Sequence, residues 1–418
     1  MVFGIQRMFA THSGRISQQW TYDAKAMIVY SAIIADLNRD GRQQIIVGTK
    51  DGRVLCLDEN GKELWTYKTS ETFSAQEAFF VDESRIHSID APPAVGDLNH
   101  DGKLEIIVAS ELGIIYCLDA QGKLLWKYES GGGIRASPLI VDMNMDGALE
   151  ILFGCSHNKL VALTCDGKKI FEYDTDAPVE SIPGVLKGKK IMIIFGNNKG
   201  VLTAITPAQE LLWRVELPGK ITAAPAFFHD TEEDRMVIGT LSGELCCVSE
   251  HGELVWEYKG NGSIYATAVI ADLNDDTKPE IVFSSCDNNV HAVTNNGERV
   301  WSYETDFWII TQPFVADIDG DGKQEVVVGS FDKSIYVLDG MGTYVLDYVP
   351  GLSSIVNQAG HYSSVLTSDT GEQTGKKLFQ YKTDGIIVGC TVLEKSHDKP
   401  LIIITTKNGL IQGYRHEK

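Results

Sequence analysis

The chain has 418 residues, of which 43% are hydrophobic and 22% charged, and this is the composition of a soluble globular protein. Its net charge of -20 argues against nucleic acid as a partner and against binding to an anionic membrane, since both require basic surfaces. No stretch has the apolar run of a signal peptide or a membrane span, so we expect a cytoplasmic protein without membrane insertion. An exported protein whose signal peptide had been removed, whether periplasmic or extracellular, would read the same.

The predicted strands recur at a fixed spacing. A small residue, Gly48, is followed eight residues later by Cys56 and nine residues after that by Trp65. Four short strands fit this unit, with turn signals such as Asn60-Gly61 between them. Six further units follow the same spacing, and their middle positions are Cys117, Ala162, Ala204, Cys247, Ala292 and Val337. Because this position accepts only Cys, Ala or Val here, we predict that it is small and buried and that its cysteines are free.

The two ends of the chain supply an eighth unit. Thr405 and Gly413 match the pair of small residues, but the chain stops before a fourth strand. The sequence Trp-Thr-Tyr at 20–22 repeats that at 65–67, so we predict that a strand over residues 15–23 completes the last unit. The fold class is therefore all-β: residues 1–418 form one eight-bladed β-propeller of four-stranded antiparallel blades. A seven-bladed ring with one misread unit is the alternative.

Two stretches interrupt the spacing. Residues 71–88 are predicted to be an insertion between blades one and two, and residues 351–384 an insertion between blades seven and eight. The spacing from Val337 places the fourth strand of blade seven at Leu346. The strand-like sequence from Lys377 to Tyr381 is therefore interpreted as a hairpin within the second insertion.

An acidic loop precedes the second strand in five units. In blade seven, carboxylates stand at positions one, three, five and nine, as Asp317, Asp319, Asp321 and Glu325. Alternating carboxylates around a sharp turn suit Ca²⁺, which prefers several oxygen ligands. The alternative interpretation is that Asp and Asn cap the amides of a tight turn without any metal.

These loops, with the β-run that follows them, resemble the FG-GAP repeat of integrin α-type propellers and the related VCBS repeat. Phrases such as Leu-Asp-Glu-Asn-Gly-Lys-Glu-Leu-Trp at 57–65 resemble the PQQ-like repeat of other eight-bladed propellers. The first resemblance implies structural Ca²⁺ at several loops. The implied ligands are Asp36, Asn38 and Asp40 in blade one; Asp97, Asn99, Asp101 and Glu105 in blade two; Asp142, Asn144, Asp146 and Glu150 in blade three; Asp272, Asn274, Asp276 and Glu280 in blade six; and the four blade-seven carboxylates. Blade one departs from the pattern with Gln44 in the last position, and blade six has Thr277 in place of Gly.

No constellation of catalytic residues is recognisable, so we expect a non-catalytic scaffold, monomeric, that binds a protein partner. The aromatic residues of the fourth strands are predicted to pack between blades, whereas Phe307 and Trp308 break that pattern and are candidates for partner binding. We expect the two insertions to share their surface. The alternatives are a glycan-binding, lectin-like propeller and a PQQ-type or polysaccharide-active enzyme.

Overall fold

The continuous apolar runs of each unit form its second and third strands, and these are the most buried strands of the protein. The computed structural model describes residues 15–69, 88–230, 233–344, 373–395 and 398–417, which contain 32 strands. In this part of the chain, no helix is long and apolar enough to cross a membrane. The all-β prediction is confirmed.

The strands form eight four-stranded antiparallel blades in chain order, and a parallel bridge between Ser302 and Thr374 joins blades six and seven into one eight-stranded sheet. Blade one contains β2 (Ile33–Ala35), β3 (Gln44–Gly48), β4 (Arg53–Asp58) and β5 (Glu63–Lys68). Blade two contains β6 (Ala94–Gly96), β7 (Glu105–Ala109), β8 (Ile114–Leu118) and β9 (Leu124–Glu129). Blade three contains β10 (Leu139–Val141), β11 (Glu150–Cys155), β12 (Lys159–Leu163) and β13 (Lys169–Asp174). Blade four contains β14 (Gly184–Lys187), β15 (Ile191–Gly196), β16 (Val201–Ile205) and β17 (Leu211–Glu216).

The second half of the ring repeats this arrangement. Blade five contains β18 (Ala226–His229), β19 (Asp234–Gly239), β20 (Glu244–Ser249) and β21 (Leu254–Lys259). Blade six contains β22 (Val269–Ala271), β23 (Glu280–Ser284), β24 (Asn289–Thr294) and β25 (Arg299–Glu304). Blade seven contains β26 (Phe314–Ala316), β27 (Glu325–Ser330), β28 (Ser334–Tyr344) and β29 (Gln373–Lys382). Blade eight contains β30 (Ile387–Lys395), β31 (Asp398–Thr406), β32 (Leu410–Glu417) and β1 (Arg15–Asp23).

The N-terminal strand closes the ring, as predicted. It pairs antiparallel with β32, from Arg15 opposite Glu417 to Asp23 opposite Leu410. Strand order in blade eight is therefore β1, β32, β31, β30, with β1 on the outer edge. Closure through backbone hydrogen bonds joins the first and last parts of the chain in one blade and leaves no open gap in the ring.

The predicted position of the fourth strand of blade seven is wrong. The strand opposite Val337 contains Phe379, not Leu346, and β29 pairs with β28 along its length. The sequence from Lys377 to Tyr381 is thus a blade strand and no inserted hairpin. The second insertion lies inside blade seven, between its third and fourth strands, instead of between blades seven and eight. A prediction based on fixed spacing fails here, because an insertion between two paired strands shifts the second strand along the chain. Each strand on its own still has the sequence pattern of a blade strand.

The small residues of the repeat have a steric cause. A Cβ on Gly48 would lie 2.4 Å from Cγ2 of Ile89, which belongs to the connection into the next blade. Ile89 is fully buried, so it cannot move aside. The same contact recurs between Gly154 and Val179, Gly196 and Ile221, Gly239 and Ile264, and Gly329 and Ile387. Neighbouring blades therefore pack closely together, because a buried aliphatic side chain contacts a strand at a glycine, which has no side chain.

Six of the seven tryptophans form a second contact between blades. The indole N–H of Trp65, for example, donates to the carbonyl of Ala120 in the next blade at 3.1 Å, and its ring covers Gly122. The other five donate in the same way: Trp20 to Glu59, Trp126 to Cys165, Trp213 to Glu250, Trp256 to Asn295, and Trp301 to Gly340. The predicted packing role of these aromatics is confirmed. Trp308 alone is used differently.

Antiparallel strands place the turns on two opposite faces of the ring. The loop face carries the turns that join first to second and third to fourth strands, and therefore the acidic loops. The connection face carries the turns between second and third strands and the connections between blades. Residues 70–87 lie outside the described residues, but their neighbours Thr69 and Ser88 are on the connection face. Residues 345–372 also lie outside the described residues, and β28, the strand before them, ends on the loop face. The expectation that both insertions share one surface with Phe307 and Trp308 falls largely on residues outside the described part of the chain, so it stays a prediction.

Candidate functional site

The five acidic loops share one hydrogen-bond scheme. The last residue of each loop accepts the backbone N–H of the second, at 2.7 to 2.9 Å, while the first Asp accepts the N–H of the sixth. Gln44 makes this bond in blade one as the glutamates do elsewhere. Thr277 takes the sixth position in blade six with φ of +71°, where the other loops have glycines at +83° or more. The predicted turn therefore forms in blade six at the cost of backbone strain.

The third residue separates blade seven from the others. In blades two and six an asparagine amide donates to the closing glutamate: Asn99 to Glu105 and Asn274 to Glu280, both at 3.0 Å. Asn144 of blade three donates to Asp146 instead, at 2.9 Å. These loops use an amide N–H where a cation would otherwise sit between carboxylates. Metal binding in these loops stays a prediction, and so does the alternative that Asp and Asn only cap the turn.

Blade seven has Asp319 where those loops have asparagine. Single carboxylate oxygens of Asp317, Asp319 and Glu325 lie within 4.8 Å of one another. Burial raises the pKa of Glu325, and the negative charges of Asp319, Asp321 and Asp317 raise it further, to about 8. Burial also raises the pKa of Glu105, Glu150 and Glu280, in the same direction. The donor set of blade seven fits a hard cation, because several oxygens converge and their mutual repulsion is relieved by positive charge.

The connection face opens onto the central channel. A cavity of about 410 Å³ lies at its mouth and is lined by residues from all eight blades. Half of the lining residues are small, with Ala136, Ala223, Ala266 and Gly389 among them. This mouth is a second candidate site, of the size that binds small groups.

The connection face also carries an arc of exposed apolar side chains, two of which, Tyr30 and Tyr265, line this cavity. Large apolar side chains project from the connections into blades six, seven and one, and each is between 36% and 48% exposed. They are Met27, Tyr30, Tyr265, Phe307 and Trp308. Met27 and Trp308 occupy equivalent positions, because each carbonyl accepts the N–H that follows the second strand, from Lys50 and Phe331. Only Phe307 and Trp308 were predicted. Met27, Tyr30 and Tyr265 were missed because a single exposed residue in a connection carries no periodic signal.

The aromatic pair of blade seven is held by its backbone. The Phe307 and Trp308 rings stack with centroids 5.1 Å apart at 28°. The Phe307 carbonyl accepts the hydroxyls of Thr305 and Ser330, and the Trp308 carbonyl accepts the Phe331 N–H. These hydrogen bonds hold the main chain that carries the two rings, and both rings are about half exposed.

A buried ion pair supports the connection that carries Tyr265. Asp287 accepts from His291 Nε2 at 3.2 Å, and its Oδ2 also accepts the N–H of Asn261. Both side chains of the pair are 8% exposed, and His291 stacks on Phe283. Burial opposes ionisation of Asp287, but the hydrogen bond and charge of His291 outweigh it and lower the pKa of Asp287 to about 2.

We expect Asp287→Asn to destabilise the protein by about 2 kcal/mol at about pH 5, because the lowered pKa of Asp287 contributes stability there. A depressed folded pKa means that this contribution is fully present above the ordinary value of 3.8 and is lost as pH falls through about 2. Urea unfolding of both proteins at about pH 5 and about pH 2.5 measures the difference. An equal difference at both pH values would contradict the assignment, and Asp306→Asn, at an exposed carboxyl, is the control.

The described residues thus define an eight-bladed β-propeller. The acidic loops lie on one face, and the channel mouth and the exposed apolar side chains lie on the other. The family model of the lambda-carrageenase β-propeller domain matches residues 8–77, 94–141 and 235–350, which is more than half of the chain. The chain belongs to this family of β-propeller domains. No curated protein matches it in sequence.

Solved structures of the same fold include BamB from Moraxella catarrhalis, at 15% identity and a TM-score of 0.64, over 96% of this chain and 99% of BamB. The computationally designed Ika8 protein matches at 13% identity and a TM-score of 0.62, over 96% of this chain and all of Ika8. BBS1N, solved in complex with ARL6DN, matches at 10% identity and a TM-score of 0.54, over 96% of each chain. At these identities the likeness shows the fold.

Proposed function

We propose that the protein is a non-catalytic scaffold that binds a protein partner on its connection face. The observation that carries this proposal is the arc of five exposed apolar side chains on the connections of this face, from Tyr265 through Trp308 to Met27 and Tyr30. Aromatic anchors that are rigid and exposed are the usual centres of protein interfaces. The complex of BBS1N with ARL6DN gives a precedent for partner binding by a propeller of this fold.

The aromatic pair gives the first test. Phe307→Ala combined with Trp308→Ala should weaken the affinity for a protein partner by about 30-fold or more, as expected for hot-spot residues. The wild type and the double variant are used as baits in affinity purifications from the native cells. Each purification is run once with Ca²⁺ and once with a chelator. Bound partners are identified by mass spectrometry. Because the main chain holds this connection, truncation of the rings should leave the fold intact.

Leu211→Ala is the matched control, since Leu211 is 53% exposed but lies on the outer strand of blade four. A partner that stays on the double variant as strongly as on this control contradicts the proposal. So does a wild type that purifies alone in both arms.

We also propose that blade seven binds Ca²⁺ as a structural ion. Support comes from the convergence of Asp317, Asp319 and Glu325, and from the resemblance of the loop to calcium-binding FG-GAP repeats. Their carboxylates would hold the ion, and the ion would pin the turn by neutralising them. In the other four loops, metal binding stays a prediction that competes with internal hydrogen bonds.

Glycan binding is the second candidate, because the aromatic pair could also stack on sugar rings and the family is named for a carrageenase domain. Specific signals on a glycan array that disappear in the double variant would favour it. Turnover of a polysaccharide, or a quinone absorbance in the purified protein, would instead favour an enzyme.

A further inference from the structure

The other half of the channel mouth is a chain of alternating charges across blades one to five. Lys50 pairs with Asp90 at 2.6 Å and lies 4.0 Å from Glu111. Arg135 joins Glu111 at 3.3 Å to Glu180 at 3.0 Å, and Lys220 pairs with the second oxygen of Glu180. Arg135 and Glu180 line the cavity together with Tyr30 and Tyr265 of the apolar arc, and the Tyr30 hydroxyl donates to the Arg135 carbonyl at 3.5 Å.

The two signs of charge are exposed very differently. The side chains of the three carboxylates are only 7% to 14% exposed, whereas Lys50 and Lys220 are 32% and Arg135 is 44% exposed. The carboxylates are therefore covered, and the cations form the outer surface of this half of the mouth. This arrangement stands out in a protein with a net charge of -20.

Each cation keeps donors after it has paired. The guanidinium of Arg135 gives one N–H to Glu180 and one to Glu111, out of five, and a lysine ammonium has three. The buried carboxylates hold the cations in fixed positions, so a ligand need not order them on binding.

We infer that the channel mouth receives an acidic segment of a protein partner that carries an apolar side chain close to its carboxylates. This inference rests on the proposed scaffold function and specifies the chemistry of the partner. The carboxylates of the segment meet Lys50, Arg135 and Lys220, and its apolar side chain meets the arc that includes Tyr265 and Trp308.

The cavity between these halves fits a single side chain of the segment. It is lined by Tyr30 and Tyr265 as well as small residues, and Thr222 also lies in its wall. The hydroxyl oxygen of Thr222 is buried without a hydrogen-bond partner among the described residues. A carbonyl or carboxylate of the inserted segment would satisfy that hydroxyl.

The test is selection of binders from a displayed library of random peptides, about twelve residues long, against the full-length protein. We expect the enriched peptides to combine Asp or Glu with an aromatic or aliphatic residue. Their affinity should fall as salt is raised, because exposed charges are screened. A synthetic peptide from the enriched set is then measured on variants.

Lys220→Gln combined with Glu180→Gln removes a cation together with its buried partner, so that no buried carboxylate is left unpaired. Binding of the acidic peptide should weaken by about fivefold, which corresponds to one exposed charge contact. The matched control is Lys168→Gln with Asp166→Asn, an exposed pair on the loop face, and it should have no effect. Lys220→Arg should retain binding.

Enrichment of neutral or basic peptides from the wild type overturns the inference, as does equal binding of the acidic peptide to the Lys220/Glu180 variant and to the control. If those peptides nevertheless lose affinity in the Phe307/Trp308 double variant, the scaffold proposal stands without the acidic partner. If no peptide depends on either half of the mouth, both proposals fail.

Discussion

Deletion of residues 1–23 should abolish cooperative folding of the propeller. β1 is the outer strand of blade eight, and it supplies the buried side chain of Ile16 to the core shared by blades seven and eight. Trp20 also donates to the Glu59 carbonyl of blade one, so one strand holds two blades together. We expect a loss of at least about 5 kcal/mol, comparable with the whole stability of a typical domain.

Deletion of residues 1–14 is the matched control, because it stops before β1 begins at Arg15. Thermal unfolding followed by circular dichroism, together with size-exclusion chromatography, compares the two truncations. A synthetic peptide with the sequence of residues 15–23 should restore folding if the lost strand is the cause. A cooperative transition in the longer deletion, close to that of the control, would show that the ring does not depend on closure.

The calcium proposal predicts the second large effect. Adding Ca²⁺ to chelator-treated protein should stabilise it by about 3 kcal/mol when the ion is at a hundred times its dissociation constant. Asp319→Asn installs the amide of blades two and six, and it should remove most of this response while stabilising the metal-free protein. The folded pKa of Glu325 lies above its ordinary value of 4.5, so the metal-free protein loses stability as pH rises from about 4.5 to about 8. The Asn variant should lose less over that range.

Asn274→Asp is the converse change, since it gives blade six the three-carboxylate arrangement of blade seven. It should destabilise the metal-free protein and add a second calcium response, visible in calorimetric titration. Wild-type protein whose unfolding temperature is unchanged by about 1 mM Ca²⁺, the weak end of protein calcium sites, would count against any ion at blade seven.

The repeat spacing predicted most of the fold because the contacts that fix it are local and repeated. Position 48 must be a glycine because the Ile89 side chain packs directly against its Cα. Position 122 must be a glycine because the Trp65 ring packs against that turn. Each such requirement leaves a residue at a fixed distance along the chain, so eight blades and their closure were predictable from one sequence. The positions of the five acidic loops were predictable for the same reason, because each loop precedes the second strand of its blade.

What the sequence determined by itself is therefore the propeller, its blade count and the strand that closes it. The extra carboxylate of blade seven, Asp319, is also visible in the sequence. Only the tertiary structure decided that Asn99 donates to its closing glutamate whereas Asn144 donates to Asp146. It also decided that Tyr30 and Tyr265 share the mouth with Arg135. These residues are far apart in the chain and belong to different blades, and only closure of the ring brings them around one channel.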